Sequence, residues 1–242
     1  CGAAPGRFIP QIILPLWDVP ACVHEIERNA AKGARSIAFC ENPSRHGFPS
    51  IFSSERHWDP VFAAAQATGM LLNMHIGSSS FIPITAGDAP LSVMIGIASF
   101  NAFYSFADWL LSDNLERFPD LKITWAEGGI GWIPSILDRL DFVWERHRWL
   151  PSRLEEPPSH YYRRQAFGCC YADEVAHADL ERIGLDHVLL EVDYPHSDST
   201  FPHTPEATKR GLACLSNDEI LQVSRGNAER LFRFTPTGIG ER

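Results

Sequence analysis

The stretch Val188-Leu-Leu-Glu-Val-Asp-Tyr-Pro-His-Ser-Asp198 joins an apolar run to a dense polar cluster. The cluster contains Asp193, His196 and Asp198, and Pro195 stops the extended run. A buried strand that delivers ligand or proton-transfer groups has this pattern, since active sites of α/β folds gather at the carboxyl ends of strands. For a lone aspartate, a helix cap beside a packed histidine would be the better interpretation. For Asp-Tyr-Pro-His after an apolar strand, the functional interpretation is favoured.

Apolar strand-like segments alternate with helical segments along the chain, which predicts βαβ units and a parallel sheet. The predicted strands are 8–16, 36–40, 70–76, 121–126, 167–171 and 187–192. The predicted helices are 19–32, 58–68, 91–117, 133–148, 174–183, 205–215 and 218–232. Six strands are two fewer than a closed (β/α)8 barrel needs. A doubly wound sheet would need no further strands, but no Gly-rich phosphate turn follows a strand here.

Composition sets outer limits on function. The chain has 242 residues with a net charge of −9, so we expect one domain over residues 1–242 and no nucleic-acid partner. The longest apolar region, 90–111, is interrupted by polar residues and is interpreted as a buried helix, with no membrane partner expected. The six cysteines have no CxxC pairing, which favours reduced core thiols in a cytoplasmic protein, although a catalytic cysteine is the minority alternative.

Four predicted strands end in residues that can do chemistry. They are His75, Glu127, Asp173 and Asp193, the last with His196 close behind. In a barrel these ends lie on one rim. Imidazole and carboxylate ligands together suit Zn²⁺ or Mn²⁺, which would polarise a substrate oxygen or activate bound water.

Each of these residues also has a structural interpretation. A single histidine such as His75 is as often satisfied by backbone as by a metal, and Glu127 could cap the next helix. Asp173 precedes a predicted helix and is expected to be its N-cap. Ser78 to Ser80 are expected to be loop hydroxyls near substrate, and Asp198 and His203 to be loop residues outside the ligand set.

Four motifs together resemble the amidohydrolase-2 family of metal-dependent TIM-barrel hydrolases and decarboxylases, which includes aminocarboxymuconate-semialdehyde decarboxylase. The motifs are His75-Ile-Gly, Trp125-Ala-Glu-Gly-Gly-Ile-Gly-Trp-Ile-Pro134, Asp193-Tyr-Pro-His196 and Arg225-Gly-Asn-Ala-Glu-Arg-Leu-Phe232. The resemblance spans about Phe8 to Phe232. It implies a (β/α)8 barrel of the amidohydrolase type, of which the first one or two strands are missing from this chain.

The resemblance also implies roles for individual residues. His75 and Asp193 correspond to metal ligands on the fifth and eighth strands, and Asp193 also handles protons. His196 is expected at the mouth of the barrel, in contact with substrate. Glu127 stands where many members have a catalytic histidine, which implies altered proton chemistry. Nothing before His24 matches the HxH or ExH pair of the family's first strand, and His24 itself lies in a predicted helix.

The resulting prediction is a metal-dependent hydrolase or carboxy-lyase that acts on a small cyclic or aromatic carboxylic acid. The alternative is a pseudoenzyme or binding module with an incomplete metal site, if the native chain starts at Cys1. The aromatic residues between Phe100 and Trp109 suggest a homodimer contact, and a core role is equally compatible with them.

Overall fold

Six parallel strands form one sheet in the order in which they occur along the chain. The computed structural model describes residues 3–4, 6–149, 154–170 and 173–237. The strands are β1 (Gln11–Ile13), β2 (Ser36–Cys40), β3 (Leu71–His75), β4 (Ile123–Ala126), β5 (Ala166–Cys170) and β6 (Val188–Leu190). Sequential order is the winding of a barrel, whereas a doubly wound sheet reverses its order at a switch point. The structure therefore confirms the barrel prediction for the strands it describes.

Helices connect the strands and cover one face of the sheet. They are α1 (Val19–Ala30), α2 (Asp59–Thr68), α3 (Leu91–Ile97), α4 (Phe100–Leu111), α5 (Asn114–Arg117), α6 (Ile133–Arg146), α7 (Pro158–Gln165), α8 (His177–Ile183), α9 (Thr204–Gly211), α10 (Asn217–Leu221) and α11 (Asn227–Leu231), with a π-helical turn at Gln222–Gly226. The single helix predicted for 91–117 is wrong, because turns at 98–99 and 112–113 divide it into α3, α4 and α5. The sequence prediction also missed α7.

Local sequence signals explain where two helices begin and end. The side chain of Asp18 accepts a hydrogen bond from the Ala21 amide at 3.0 Å, which satisfies a free N–H group in the first turn of α1. Gly69 ends α2 with a φ of 63°, in the left-handed region that favours glycine. Both boundaries agree with the predicted helices, since α1 begins at Val19 and α2 ends at Thr68.

The two faces of the sheet have different environments. Met74, Trp125 and Val188 belong to the main hydrophobic core beneath the helices. Because side chains alternate along a strand, the neighbours of these residues point to the other face. Phe167, Cys169 and Leu189 form a separate small cluster there. His75 follows Met74, whose side chain points into the main core. The His75 side chain therefore points to the opposite face of the sheet, which is the inner face.

Residues Leu91–Leu111 are long and apolar enough to cross a membrane by length and composition, contrary to the sequence-based expectation that no stretch approaches this length. A single such segment is weak evidence, and only 22% of its apolar window is buried. Within α4, Ala102, Phe106 and Trp109 are fully buried in the core. The expectation of a buried helix is correct for that face of α4 and wrong for α3, which buries no residue.

The closing motif carries a structural role. Asn227 at the start of α11 is fully buried, and its Nδ2 donates to the carbonyl oxygens of Leu185 at 2.8 Å and Val188 at 2.7 Å. These carbonyls flank the start of β6. The asparagine therefore connects α11 to β6, the strand that precedes Asp193.

We expect Asn227→Ala to lower the free energy of unfolding by about 1–3 kcal/mol, because the carbonyl of buried Val188 loses its side-chain donor and that of Leu185 loses one of two donors. Asn217→Ala, the same change at an exposed position, is expected to cost less than about 0.5 kcal/mol. Urea unfolding followed by circular dichroism measures both. Equal effects of the two substitutions would contradict the bridging role of Asn227.

Candidate active site

His75 is the last residue of β3 and lies opposite Ala126, the last residue of β4. Its Nδ1 lies 2.6 Å from the carbonyl oxygen of Ile76, which can only accept a hydrogen bond. Nδ1 therefore carries the proton, and Nε2 is directed to Glu127, whose Oε1 is 2.8 Å away. A backbone carbonyl that fixes the tautomer in this way is typical of metal-binding histidines.

Glu127 directly follows β4 and Asp193 lies three residues beyond the end of β6, and both have an unusual backbone conformation. Their φ angles are 57° and 55°, in the left-handed region that residues other than glycine rarely adopt. Such residues cluster at functional sites, where the surrounding structure holds them in place. The two carboxyl groups lie close enough for each to affect the pKa of the other. Asp193 also approaches His196, with Oδ2 and Nδ1 3.0 Å apart.

The proximity of these groups changes their protonation. The hydrogen bond with Glu127 raises the pKa of His75 to about 9, against the effect of burial. The same contact holds the pKa of Glu127 below its ordinary value. Burial, and then the negative charge of Glu127, raise the pKa of Asp193. The site thus pairs an imidazolium with one ionised carboxylate and leaves a second carboxyl group that retains its proton more readily.

These residues share a cavity of about 460 Å³, a volume typical of small-molecule sites. Half of the lining residues are polar or ionisable, and half are apolar or glycine. The first group is His75, Glu127, Asp193, His196, Asp198 and Ser99, and the second is Ile76, Gly77, Ile82, Met94, Ile95 and Ala98. The lining therefore brings together all the predicted catalytic and metal-binding residues, and none of its described residues is Lys or Arg.

The capping prediction for Asp173 is wrong, and the capping alternative for Glu127 is not the one observed. Asp173 does not cap a helix, because α8 begins four residues later, at His177. Its Oδ1 instead accepts hydrogen bonds from the amides of Ile130 at 3.1 Å and Gly131 at 3.5 Å, in the loop that follows Glu127. Glu127 does not cap α6, whose N-cap is Trp132. Gly129 has a φ of 67°, and a Cβ there would lie 3.0 Å from Asp173 Oδ1, so the loop passes close to this carboxylate.

The sequence prediction missed two buried or partly buried glutamates. Glu41 follows β2 and is only 4% exposed. It accepts hydrogen bonds from the hydroxyls of Ser78 and Ser79, so these hydroxyls face Glu41 and not the cavity. Glu191 follows β6, and its Oε2 accepts a hydrogen bond from the Glu127 amide at 2.7 Å. The period-two pattern of β6 could have revealed Glu191, because it places this residue on the same face as Asp193.

A thiol-based mechanism is not supported by the described cysteines near the sheet. Burial raises the pKa of Cys40 to about 12 and that of Cys170 to about 12, so both remain protonated. Cys169 lies on the inner face and Cys170 in the main core, which confirms that the two point to opposite sides. Cys1 lies outside the described residues.

The donor set fits a divalent cation only in part. Imidazole Nε2 of His75 and the carboxylate of Asp193 are suitable ligands for Zn²⁺ or Mn²⁺. Within the described ranges, however, no group of three or more His, Cys, Asp or Glu side chains is arranged to hold a metal. His75 and Asp193 therefore stay predicted ligands, and they would form an incomplete set by themselves.

A parallel sheet in sequential order with ionisable residues at its carboxyl edge defines an active site of the barrel-enzyme class. The amidohydrolase family profile, Amidohydro_2, matches residues 1–234. The chain belongs to this family. No curated protein matches the sequence.

Several solved structures are similar to the chain. The 5-carboxyvanillate decarboxylase LigW from Sphingomonas paucimobilis is 25% identical, with a TM-score of 0.74 over 97% of this chain and 69% of that one. An amidohydrolase from Mycobacterium avium subsp. paratuberculosis K-10 is 22% identical, with a TM-score of 0.75 over 91% of this chain and 57% of that one. A dihydroxybenzoic acid decarboxylase from Polaromonas sp. JS666, with bound manganese and 2-nitroresorcinol, is 17% identical, with a TM-score of 0.69 over 96% and 71%.

Glu191 generates a prediction about stability and pH. Burial, supported by the charge of Glu127, raises its pKa from 4.5 to about 7. Between these values the unfolded chain has released a proton that the folded protein still holds, so stability falls as pH rises. The loss is about 1–3 kcal/mol across this range.

In the presence of EDTA, Glu191→Gln should therefore gain stability relative to the parent protein as the pH is raised from about 5 to about 8. Glutamine cannot ionise, but its Oε1 can still accept from the Glu127 amide. Urea unfolding across this pH range measures the difference. Glu145→Gln, at an exposed site, is the control and should show no such trend. A constant difference for Glu191→Gln would contradict the assignment.

Proposed function

We propose that this protein is a metal-dependent carboxy-lyase that removes CO₂ from a small aromatic carboxylic acid without oxidation. The observation that carries the proposal is the convergence of His75, Glu127, Asp193 and His196 on one half-apolar cavity. The 25% identity to a 5-carboxyvanillate decarboxylase supports this reaction type. The apolar residues of the lining are suited to the faces of a planar ring.

Different residues of the chain have different roles in substrate binding and in proton transfer. Decarboxylation breaks the bond between the ring carbon and the carboxylate, and a proton must replace CO₂ on that carbon. Asp193 is suited to deliver the proton, because its raised pKa favours the protonated form and it faces the cavity. His196, 3.0 Å away and 60% exposed, connects Asp193 to solvent for reprotonation. Glu127 contacts Nε2 of His75 at 2.8 Å, and a metal bound to this nitrogen would replace the contact and leave the Glu127 carboxylate beside Asp193.

A divalent metal, Mn²⁺ or Zn²⁺, is part of the proposal, with His75 and Asp193 among its ligands. Bound there, a metal ion would supply Lewis acidity that polarises substrate oxygens. Two observations support this. Among the residues that the structure describes, no Lys or Arg lines the cavity to balance an anionic substrate, and a metal ion could do so. Manganese is present in the Polaromonas decarboxylase and in a 5-carboxyvanillate decarboxylase from Novosphingobium aromaticivorans DSM 12444, both of which have a similar fold.

Hydrolysis by the same residues is the second candidate, and membership of the amidohydrolase family favours it. In that reaction Asp193 would accept a proton from the attacking water. A binding module without catalytic activity is the remaining alternative.

We also propose a cytoplasmic location and a homodimer. The five cysteines of the described residues are free, which fits a reducing compartment. Phe100 is 43% and Tyr104 is 54% exposed, and both could contribute to a subunit contact, whereas Phe106 and Trp109 lie in the core.

His75→Ala and Asp193→Ala should each lower the metal content of the purified full-length protein by about 10-fold or more, because each removes a direct ligand. Plasma emission spectrometry measures bound Mn and Zn after dialysis. His24→Ala, a histidine of α1, is the control and should leave metal content unchanged. Unchanged metal in both ligand variants would refute the ligand assignment.

The full-length protein with added Mn²⁺ should release CO₂ from 5-carboxyvanillate or 2,6-dihydroxybenzoate. Glu127→Gln should lower kcat about 100-fold while metal is retained, because losing the Glu127 charge weakens the hold of Asp193 on the proton that it must deliver. Coupled CO₂ detection and metal analysis measure the two effects.

Glu145→Gln is again the matched control, since it changes the same side chain on the exposed surface. Cleavage of esters or amides of these acids without CO₂ release would favour the hydrolase. Neither activity in a metal-loaded protein would favour the binding module. Full activity of Glu127→Gln would exclude a catalytic role for this residue.

A further inference from the structure

Glu41 is a buried carboxylate at the carboxyl end of β2, outside the set of residues that line the large cavity. Its partners come from two separate segments. Ser78 and Ser79, in the loop after β3, donate their hydroxyls to it. Asn101, in the first turn of α4, donates Nδ2 to Oε1 at 3.0 Å and is itself 3% exposed. One side chain thus joins three parts of the chain.

The two segments bound by Glu41 form much of the cavity wall. Ile76, Gly77 and Ile82 lie on either side of the two serines. Ala98 and Ser99 lie immediately before α4 and belong to the same lining. The connection is reinforced by Asn101, whose Nδ2 also donates to the carbonyl oxygen of Phe81. The position of the wall therefore depends on what holds the loop and the start of α4.

Apolar packing holds the start of α4, where Ala102 is fully buried, but not the loop 77–82, in which the only buried residue is Ser79. The helix α3, which also contributes to the wall through Met94 and Ile95, buries none of its residues. The segment after Glu41 adds two contacts to the loop. His46 Nε2 lies 2.9 Å from the Ser78 carbonyl oxygen, and the Arg45 guanidinium lies 4.0 Å above the Phe81 ring. These two contacts are polar or depend on charge.

A buried carboxylate is energetically unfavourable compared with an apolar side chain at the same position. Removing it from water costs several kcal/mol unless hydrogen bonds satisfy its oxygens, and apolar residues of similar size often give equal or better stability. Directional hydrogen bonds, unlike apolar packing, fix the relative positions of the groups that they join. The hydrogen bonds of Glu41 are therefore better suited to fixing the positions of the segments that they join than to stabilising the fold.

We propose that Glu41 is a positioning residue that sets the shape of the substrate cavity by fixing the loop after His75 to the start of α4. It touches neither substrate nor metal, and it determines how tightly the apolar wall fits the ligand. The role in substrate fit rests on the proposed function, whereas the role in holding the two segments does not.

The test compares Glu41→Leu and Glu41→Gln in the full-length protein. In Glu41→Leu, amide hydrogen exchange in residues 77–82 and 98–101 should become at least about 10-fold faster, since the loop and helix start lose their common acceptor. Glu41→Gln retains one acceptor oxygen and should restore most of the protection. Ser79→Ala removes one donor and gives a milder form of the same change if Glu41→Leu does not fold.

Kinetics with Mn²⁺ and 2,6-dihydroxybenzoate or 5-carboxyvanillate provides the second measurement. Glu41→Leu should raise KM about 10-fold or more, with metal content unchanged and kcat within about threefold, because ground-state and transition-state binding weaken together. Gln165→Leu is the control for a purely structural effect. Gln165 is fully buried, and its Nε2 donates to the carbonyl oxygens of Phe118 and Leu121 at the opposite end of the sheet. The Gln165→Leu substitution should therefore lower stability without changing KM or exchange in 77–82.

Unchanged exchange in both segments of Glu41→Leu and Ser79→Ala would overturn the proposal. Faster exchange with unchanged KM would also overturn it, because the wall would then not depend on Glu41. If the parent protein acts on no carboxylic acid, the proposed function fails, and exchange alone decides whether Glu41 holds the two segments.

Discussion

The pairing register of β3 and β4 is the constraint on which the site depends. His75 lies opposite Ala126, so Glu127 is the first residue beyond the strand and its carboxylate reaches Nε2 at 2.8 Å. A shift of one residue would turn His75 into the helix-covered core and Met74 into the cavity. Main-chain hydrogen bonds between the strands and the burial of Met74 and Trp125 therefore set the distance between the side chains of His75 and Glu127. None of these interactions involves either side chain directly.

Carboxylates are used in this structure both as reactive groups and as supports. Glu127 and Asp193 face the cavity, whereas Glu191, Asp173 and Glu41 accept hydrogen bonds from the backbone or side chains of the segments around it. Glu191 binds the amide of Glu127, which lies in the left-handed region. Residues in that region need support from their surroundings. The net negative charge of the chain thus includes several carboxylates with specific positions in the site.

The sequence was sufficient for the features that depend on periodicity. Alternating segments predicted six parallel strands, and β2 has the predicted bounds. His75, Glu127, Asp193 and His196 were found because each follows an apolar strand, and the rim of a sheet brings such residues together. The division of 91–117 into three helices could not be read from its apolar character, because the turn at 98–99 has no proline or glycine to mark it. The partners of Asp173 and Glu41 are 37 to 60 residues distant in sequence, and no local pattern predicts contacts of that separation.

Asn227 has a consequence for the order of events during synthesis. The carbonyl oxygen of Val188 acquires its side-chain donor only when residue 227 has left the ribosome, and that of Leu185 then gains a donor besides the Val188 amide. Until then the last described strand has a buried acceptor without this partner, and such groups are costly to remove from water. Asp193, carried by that strand, therefore reaches its final position late, after the other rim residues have been made. A nascent chain halted before Asn227 would have a final strand without these side-chain hydrogen bonds. Exposed strand edges in such a state favour aggregation.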